Sequence, residues 1–478
     1  MGLIAGNERL KSMKHYLLSH KIVLILVLAA IVRLSVFVAF PKVFVFEQTG
    51  SIQGSEAYDT YAQNLLRTGT FGRIPGIPDA AIPPLYSYLL AGVYTLIGRG
   101  ALQVSLLHIV LDSISIVLLY ELGKRLLPKG EAAGLLAGLF YALYPYLIFQ
   151  NLTVNDTPLF IMLLYAFMLL MVMLRERPTL DRRTWALSVL GGLVLGLSML
   201  VRTLLPPLAV LVAIWFLFRL NFRQTLLRLL PVAVIGVLIM LPWTIRNYGV
   251  YQRVIAVSLN YGDNLYQGNS RYTIPFLCAG YDVQWSPIDP LQAADKYSPE
   301  AADERAARGI QFLRENPDKI PELLWVKFMV YWSIEIAPRY NPKPNERLGL
   351  DDAGNFIIRQ VDANGQLLTQ GANDPVTLYE TPLFDQLGRF VHRLYWGGLF
   401  LLGLVGIALT IRQWREVSLL WFAQISMTAV YVFFHPSTRY RAPTDPLWFL
   451  FSAYAILWVW EWWRARHTRT IAAEVVSV

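Results

Sequence analysis

Ten apolar runs, most of 16 to 21 residues, divide this chain, and nothing else in it narrows the fold so far. They fall near 22–40, 102–122, 132–149, 157–174, 184–201, 203–218, 226–243, 394–411, 417–434 and 444–460. At about 1.5 Å per residue, runs of this length cross roughly 30 Å of hydrocarbon. Lipid offers no partner to a backbone N–H or C=O, so a crossing run must be a helix. The sequence therefore predicts an all-α polytopic membrane protein with about 10 transmembrane helices. A mean hydropathy of +0.42 over 478 residues agrees, since a soluble chain could not hide that much apolar surface.

The loops between the runs sort by charge. Arg9, Lys11, Lys14 and Lys21 precede the first run, which no cleavage site follows, so it is expected to stay as a span. Lys124, Arg125 and Lys129 follow the second run, and Arg175, Arg177, Arg182 and Arg183 the fourth. Arg219, Arg223 and Arg228 follow the sixth, Arg412 and Arg415 the eighth, and Arg464, Arg466 and Arg469 the last. The alternate short loops hold only Arg202, Arg439 and Arg441. The positive-inside rule then puts both termini of a multi-pass protein in the cytoplasm. The same scatter explains the net charge of +9 without a nucleic-acid partner. A lone Cys278 allows no internal disulfide, and no Walker, HExxH or CxxC motif is present. Neither a metal nor a cofactor is expected.

Two further apolar stretches, 84–98 and 320–336, would reverse the charge pattern if they crossed, and are read as helices along the outer interface. Residues 298–316 read as a helix capped by Ser298. Residues 337–385 lack periodicity and read as an irregular outer cap. The organisation expected is a transmembrane catalytic module over 1–245 with a first outer loop at 41–101. An extracytoplasmic region over 246–390 and C-terminal transmembrane helices over 391–478 follow.

Candidate chemistry collects on the outer side. Glu56 and Asp59 sit in the first outer loop, and Asp156 in the second. Arg202 ends the fifth run, Trp243, Arg246 and Asn247 close the seventh, and Arg439, Tyr440 and Arg441 precede the last. Each has a plain alternative: an arginine that snorkels, an Asp156 that caps the next helix, an acid in a first turn. Together, carboxylates and arginines at one surface suit a reaction that deprotonates a hydroxyl and binds a phosphate. His108 and Asp112 share one helix face, as a buried pair or a proton relay. Gly191, Gly192 and Gly196 suit close helix packing. Asn151-Leu-Thr has the form of a glycosylation sequon.

The ordered segments AYDTYAQNLLRTGTFG…PPLYSYLLAGVYTLIG, LYPYLIFQNLTVNDTPLF, GLSMLVRTLLPP, LPWTIRNYGVYQRVIAVSLNYGDNLYQGN and RYRAPTDPLWFLFSAYA carry a family likeness. They resemble the bacterial branch of the glycosyltransferase-C superfamily, which includes protein O-mannosyltransferases and the aminoarabinose transferases that modify lipid A. The resemblance implies a membrane enzyme that moves a sugar from a polyprenyl-phosphate donor to a lipid, glycan or protein acceptor outside the cytoplasm. It implies Glu56 as catalytic base with Asp59 as the fallback, and Asp156 is grouped with them. Relatives often carry an Asp-Glu pair where this chain has Gly54-Ser55, and the aminoarabinose transferases a Lys where it has Ile82. Phosphate binding therefore falls to Arg202, Arg246, Arg439 and Arg441 with Tyr440, while Tyr58, Tyr86, Asn247 and Asn264 are assigned to the substrate lining. The expected mechanism is a single inverting displacement. The rivals are a secondary transporter using His108 and Asp112, and an oligosaccharide polymerase or ligase using the same lipid carriers.

Overall fold

The structure is a computed structural model describing residues 2–46, 51–52, 54–287, 291–293, 295–342, 346–361, 367–368 and 382–476. Helices dominate it, and it has the architecture of a polytopic membrane protein. Five helical stretches among these residues are long and apolar enough to cross a membrane: His20–Ala39, Ala101–Leu126, Thr157–Glu176, Phe222–Tyr251 and Phe384–Phe433. A sixth arises if Gly130–Leu143 and Pro145–Asn151, bent by 59°, form one broken span. The expected count of ten is not reached by this measure. The run near 203–218 yields a helix of only 13 residues, Leu205–Leu217, and the Phe384–Phe433 stretch holds two helices parted at Ile411–Gln413.

Packing follows the small residues. Helix Arg182–Met199 lies along Phe222–Tyr251, and a Cβ on Gly192 or Gly196 would meet the carbonyl oxygen of Val232 or Gly236 within 2.7 and 2.8 Å. Ala101–Leu126 packs on both Gly130–Leu143 and Thr157–Glu176, and Pro382–Thr410 on Asp445–Val476. Inside this bundle Arg33 Nη2 meets Asp112 Oδ2 at 2.6 Å, and Tyr141 and Asn151 donate to the same carboxylate. His108 instead contacts Tyr86 Oη at 2.7 Å and the Asn151 carbonyl at 2.8 Å. The two residues share a helix face but not a bond; each is a satisfied buried group. Asn151 of the sequon is itself fully buried.

The two ends of the bundle differ. At one, Arg125 pairs with Glu176, Lys129 with Glu461, Arg175 with Glu416 and Arg177 with Asp181. Helix Thr157–Glu176 carries its chain from Asp156 at the opposite end to this one, and Arg182–Met199 returns it to Arg202. The predicted interfacial segments form helices Leu85–Ile97 and Ile320–Tyr331. Ser298 caps Pro299–Glu315 by accepting from the Ala301 N–H, as expected. The cap differs from expectation: Glu346–Leu350 and Phe356–Val361 pair antiparallel, with Leu367–Leu368 as a third strand. Only five residues separate the first two strands, so the alternation was too short to stand out as a period. Residues 343–345, 362–366 and 369–381 of that stretch lie outside the described residues.

Candidate active site

Asp156 stands at the centre of the end opposite the basic loops. It immediately precedes helix Thr157–Glu176, yet its side chain does not cap it; Asn155 Oδ1 accepts the Thr157 N–H at 2.9 Å. That frees the Asp156 carboxylate for the arginines. Arg202 donates Nε to Oδ2 at 2.7 Å and Nη2 to Oδ1 at 2.5 Å, a two-pronged contact, and Nη2 also reaches Thr157 Oγ1 at 2.8 Å. Arg439 adds Nη2 to Oδ1 at 3.1 Å, and Tyr58 lines the same cavity as this carboxylate. Burial works against the charge on Asp156, but Arg202 and then Arg439 outweigh it, so the carboxyl sits far below the usual carboxylate range. Arg202 is therefore an ion-pair partner rather than a snorkelling side chain.

These groups line a cavity of ≈ 310 Å³ with Ser55, Asn264, Tyr431, His435 and Tyr440. Two donors of these lining arginines remain unmatched among the described residues: Arg202 Nη1 and Arg439 Nε, both buried. The segment that leads into helix Glu56–Thr68 is stitched to the one before Asp156 beside them. Ser55 N–H donates to the Val154 carbonyl at 2.8 Å, and Gly54 pairs with Val154 at φ +125°, where a Cβ would lie 2.3 Å from that oxygen. The Gly54-Ser55 departure thus has a steric reason: only glycine lets the two loops touch. Glu56 follows as the first residue of helix Glu56–Thr68; it is exposed and, unlike its neighbours Ser55 and Tyr58, is not among the residues that line the cavity.

Residues 81–245 match the family model described as dolichyl-phosphate-mannose-protein mannosyltransferase. The fold is similar to that of the oligosaccharyltransferase AglB from Archaeoglobus fulgidus in complex with an inhibitory peptide and a dolichol-phosphate. The two share 16% identity over 94% of this chain and 52% of that one, at a TM-score of 0.52. The apo form of the oligosaccharyltransferase from that organism gives 15% identity, the same coverages and 0.52. ArnT from Cupriavidus metallidurans bound to undecaprenyl phosphate shares 14% identity over 89% of this chain and 77% of that one, at 0.38. No curated protein gives a significant sequence match. The chain spans about half the length of the archaeal structures it matches. Its resemblance to the glycosyltransferase-C superfamily is borne out.

Within this glycosyltransferase-C-like fold the other candidates divide. Tyr58, Asn264 and Tyr440 line the cavity. Asp59 does not; it is gripped by Arg99 Nη2 at 2.6 Å and Tyr94 Oη at 2.7 Å, and Gln63 donates to it at 2.9 Å. Arg246 is spent on the segment 71–79, donating to the carbonyls of Asp79 and Phe71 at 2.7 Å each, with its guanidinium over the Trp243 ring. Arg441 is fully buried, paired with Asp445 at 2.9 Å and donating to the Tyr331 and Ser333 carbonyls. Asn247 ties down the Ile255 and Val257 carbonyls, and Tyr86 is fully buried on His108. These five hold the site's walls instead of facing its space.

A second cavity of ≈ 550 Å³ adjoins the first and shares Arg439 and Tyr440 with it. Its wall is mainly apolar, with Val36, Phe40, Ile148, Phe384 and Leu387, and it also reaches Asp282 and Arg389. Sequence reasoning missed Asp282, His435 and Tyr431. The one available signal was the position of His435 at the head of the run HPSTRYR that carries Arg439. No group of three or more His, Cys, Asp or Glu among the described residues could hold a metal ion.

Proposed function

We propose that this protein is a membrane glycosyltransferase that moves a sugar from a polyprenyl-phosphate donor to an extracytoplasmic acceptor, with inversion. The observation that carries the reading is the pair of buried, unmatched donors, Arg202 Nη1 and Arg439 Nε, on guanidinium groups already oriented by one carboxylate. Asp156 fixes the forks; the open N–H groups then meet the phosphate that becomes the leaving group, by charge-assisted contacts that strengthen as its charge grows. Held ionised by two arginines, Asp156 is a poor proton acceptor and acts as their orienter. Asp59 is consumed by Arg99 and Tyr94, which leaves Glu56 as the base for the acceptor hydroxyl.

The apolar cavity next to Arg439 receives the polyprenyl chain, so that the phosphate stands at the partition between the two cavities. Leu387→Asp should then weaken binding of long-chain donors and spare short-chain ones; equal loss for both would refute this placement. The smaller cavity, with Tyr58 and Asn264, is left for the sugar and the acceptor hydroxyl. The transporter reading has less support, because Asp112 and His108 are already saturated by their neighbours. The test is direct. Purified protein in lipid nanodiscs, given a radiolabelled polyprenyl-phosphate sugar and an envelope extract, should move label from donor to acceptor and release polyprenyl phosphate. Label that stays on the donor under all such acceptors overturns the reading.

A further inference from the structure

The loop that carries Arg439 begins with a residue to which the mechanism above gives no work. His435 is 4% exposed and lines the same cavity as Tyr58, Asp156 and Arg202. Its Nε2 lies 3.0 Å from Asp282 Oδ1. Asp282 is itself held in place, accepting the Gln284 N–H at 3.0 Å. Burial opposes its charge, but His435, the Gln284 amide and Arg439 outweigh it and keep the carboxyl below the usual range. An ionised carboxylate can only accept, so Nε2 carries the hydrogen of that contact. The other ring nitrogen, Nδ1, is buried and has no hydrogen-bond partner among the described residues.

The ring is also firmly placed. The carbonyls of Phe433 and Phe434, just before it, accept from Lys327 Nζ at 2.9 and 3.5 Å, and Asn269 Nδ2 adds a bond to the first at 3.2 Å. On the other side Tyr440 meets the imidazole edge-on at 5.9 Å between centroids. The charged and titratable groups around it are Asp282 beneath, Arg439 and Tyr440 on its own loop, and Lys327 under the preceding carbonyls. Arg202, Asp156, Tyr58, Tyr261 and Tyr431 complete the cavity.

Transfer from a phosphate diester to a hydroxyl moves, in sum, one proton from the acceptor to the leaving phosphate. Glu56 takes a proton; none of the arginines can give one up. We propose that His435 is a catalytic residue of this reaction, the general acid that passes the Nδ1 proton to the departing phosphate oxygen, with Asp282 as the positioning residue that fixes the ring. The bond from the anomeric carbon to that oxygen breaks and its electron pair goes to the phosphate. The acceptor oxygen forms the new bond to carbon, its proton goes to Glu56, and the Nδ1 proton completes the phosphate monoester. Water returns the proton from Glu56 to His435 once products leave, so no further reactant is needed. This assignment rests on the transfer reading above.

The experiment is the pH profile of kcat for the full-length protein in nanodiscs with a polyprenyl-phosphate sugar. Wild type should lose rate on the alkaline side, as a reaction that needs a protonated general acid must. H435Q should lower kcat by roughly 10²-fold and abolish that alkaline fall, with KM for the donor within about twofold. D282N keeps the ring but not its orientation and should lower kcat about tenfold; it carries the test if H435Q does not fold. An alkaline fall that survives in H435Q, or wild-type kcat in D282N and H435Q alike, overturns the assignment while the transfer reading stands. A wild-type protein that moves no sugar at any pH overturns both.

Discussion

Arg202 grips Asp156 through two parallel hydrogen bonds at 2.7 and 2.5 Å, joining the start of helix Thr157–Glu176 to the residues just past helix Arg182–Met199, 46 positions on. Both partners are nearly excluded from solvent, at 8% and 3% side-chain exposure. Such a pair gains little over an apolar contact, but removing one partner strands the other, at a cost of about 3–5 kcal/mol. Asp156→Asn should therefore lower thermal stability clearly and abolish donor binding, because Arg202 and Arg439 lose their common orienter. The pH dependence follows from the sign of the shift. A carboxyl depressed in the folded state contributes stability above its unfolded value of about 3.9 and loses it only as pH falls through the lower folded value. Melting curves of wild type minus Asp156→Asn should thus be flat from about pH 5 to 8 and converge only in stronger acid.

The two first-loop acids should part company. Glu56→Gln keeps shape but cannot accept a proton, so transfer should fall by roughly 10²–10⁴-fold with stability and donor binding intact. Asp59→Asn should instead destabilise the loop by breaking the Arg99 and Tyr94 contacts, with any loss of rate following the loss of folded protein. If Glu56→Gln turns over at the wild-type rate and well-folded Asp59→Asn does not, Asp59 is the base.

A glycine with no functional group of its own should matter as much as a charged residue. A Cβ on Gly268 would stand 1.4 Å from the Phe434 carbonyl oxygen, on the turn that delivers His435 and Arg439. Gly268→Ala should therefore push that turn out of place and reduce transfer at least tenfold in protein that still inserts and folds. Gly249→Ala, where a Cβ meets nothing within 4 Å, is the control and should be silent.

Sidedness can be read without an activity assay. In a Cys278→Ser background, cysteines at Thr68 and Asp351 should react with a membrane-impermeant maleimide in intact spheroplasts, and one at Lys129 should not. The pairs Arg125–Glu176 and Lys129–Glu461 gather the basic loops at the end away from Asp156, so labelling at Lys129 would put the candidate site in the cytoplasm.

What the sequence could reveal divides along physical lines. Helices and their rough ends were legible because lipid demands long apolar runs and allows no exposed backbone. Asp156, Arg202, Arg439 and Glu56 were legible as charged residues of the loops that alternate with the basic ones. Their partners were not. Nothing local distinguishes Arg441, which pairs with Asp445 four residues on, from Arg439, which reaches back 283 residues to Asp156. Arg246 looks like a phosphate ligand in sequence and proves to be a clamp on the Phe71 and Asp79 carbonyls. The Asp282–His435 contact joins segments whose proximity only the folded chain shows.

Equilibrium binding of a polyprenyl phosphate, the expected product, tests the account at its centre without an acceptor. Its phosphate should meet Arg202 Nη1 and Arg439 Nε, and each charge-assisted contact is worth about 1.5–3 kcal/mol, roughly tenfold or more in Kd. Lys keeps the charge but not the fork, so Arg439→Lys should weaken binding about tenfold or more, and Arg202→Lys at least as much. The uncharged polyprenol should bind wild type and both variants equally weakly. Polyprenyl phosphate that binds wild type and the two Lys variants with the same Kd would contradict the claim that Arg202 and Arg439 receive the donor phosphate.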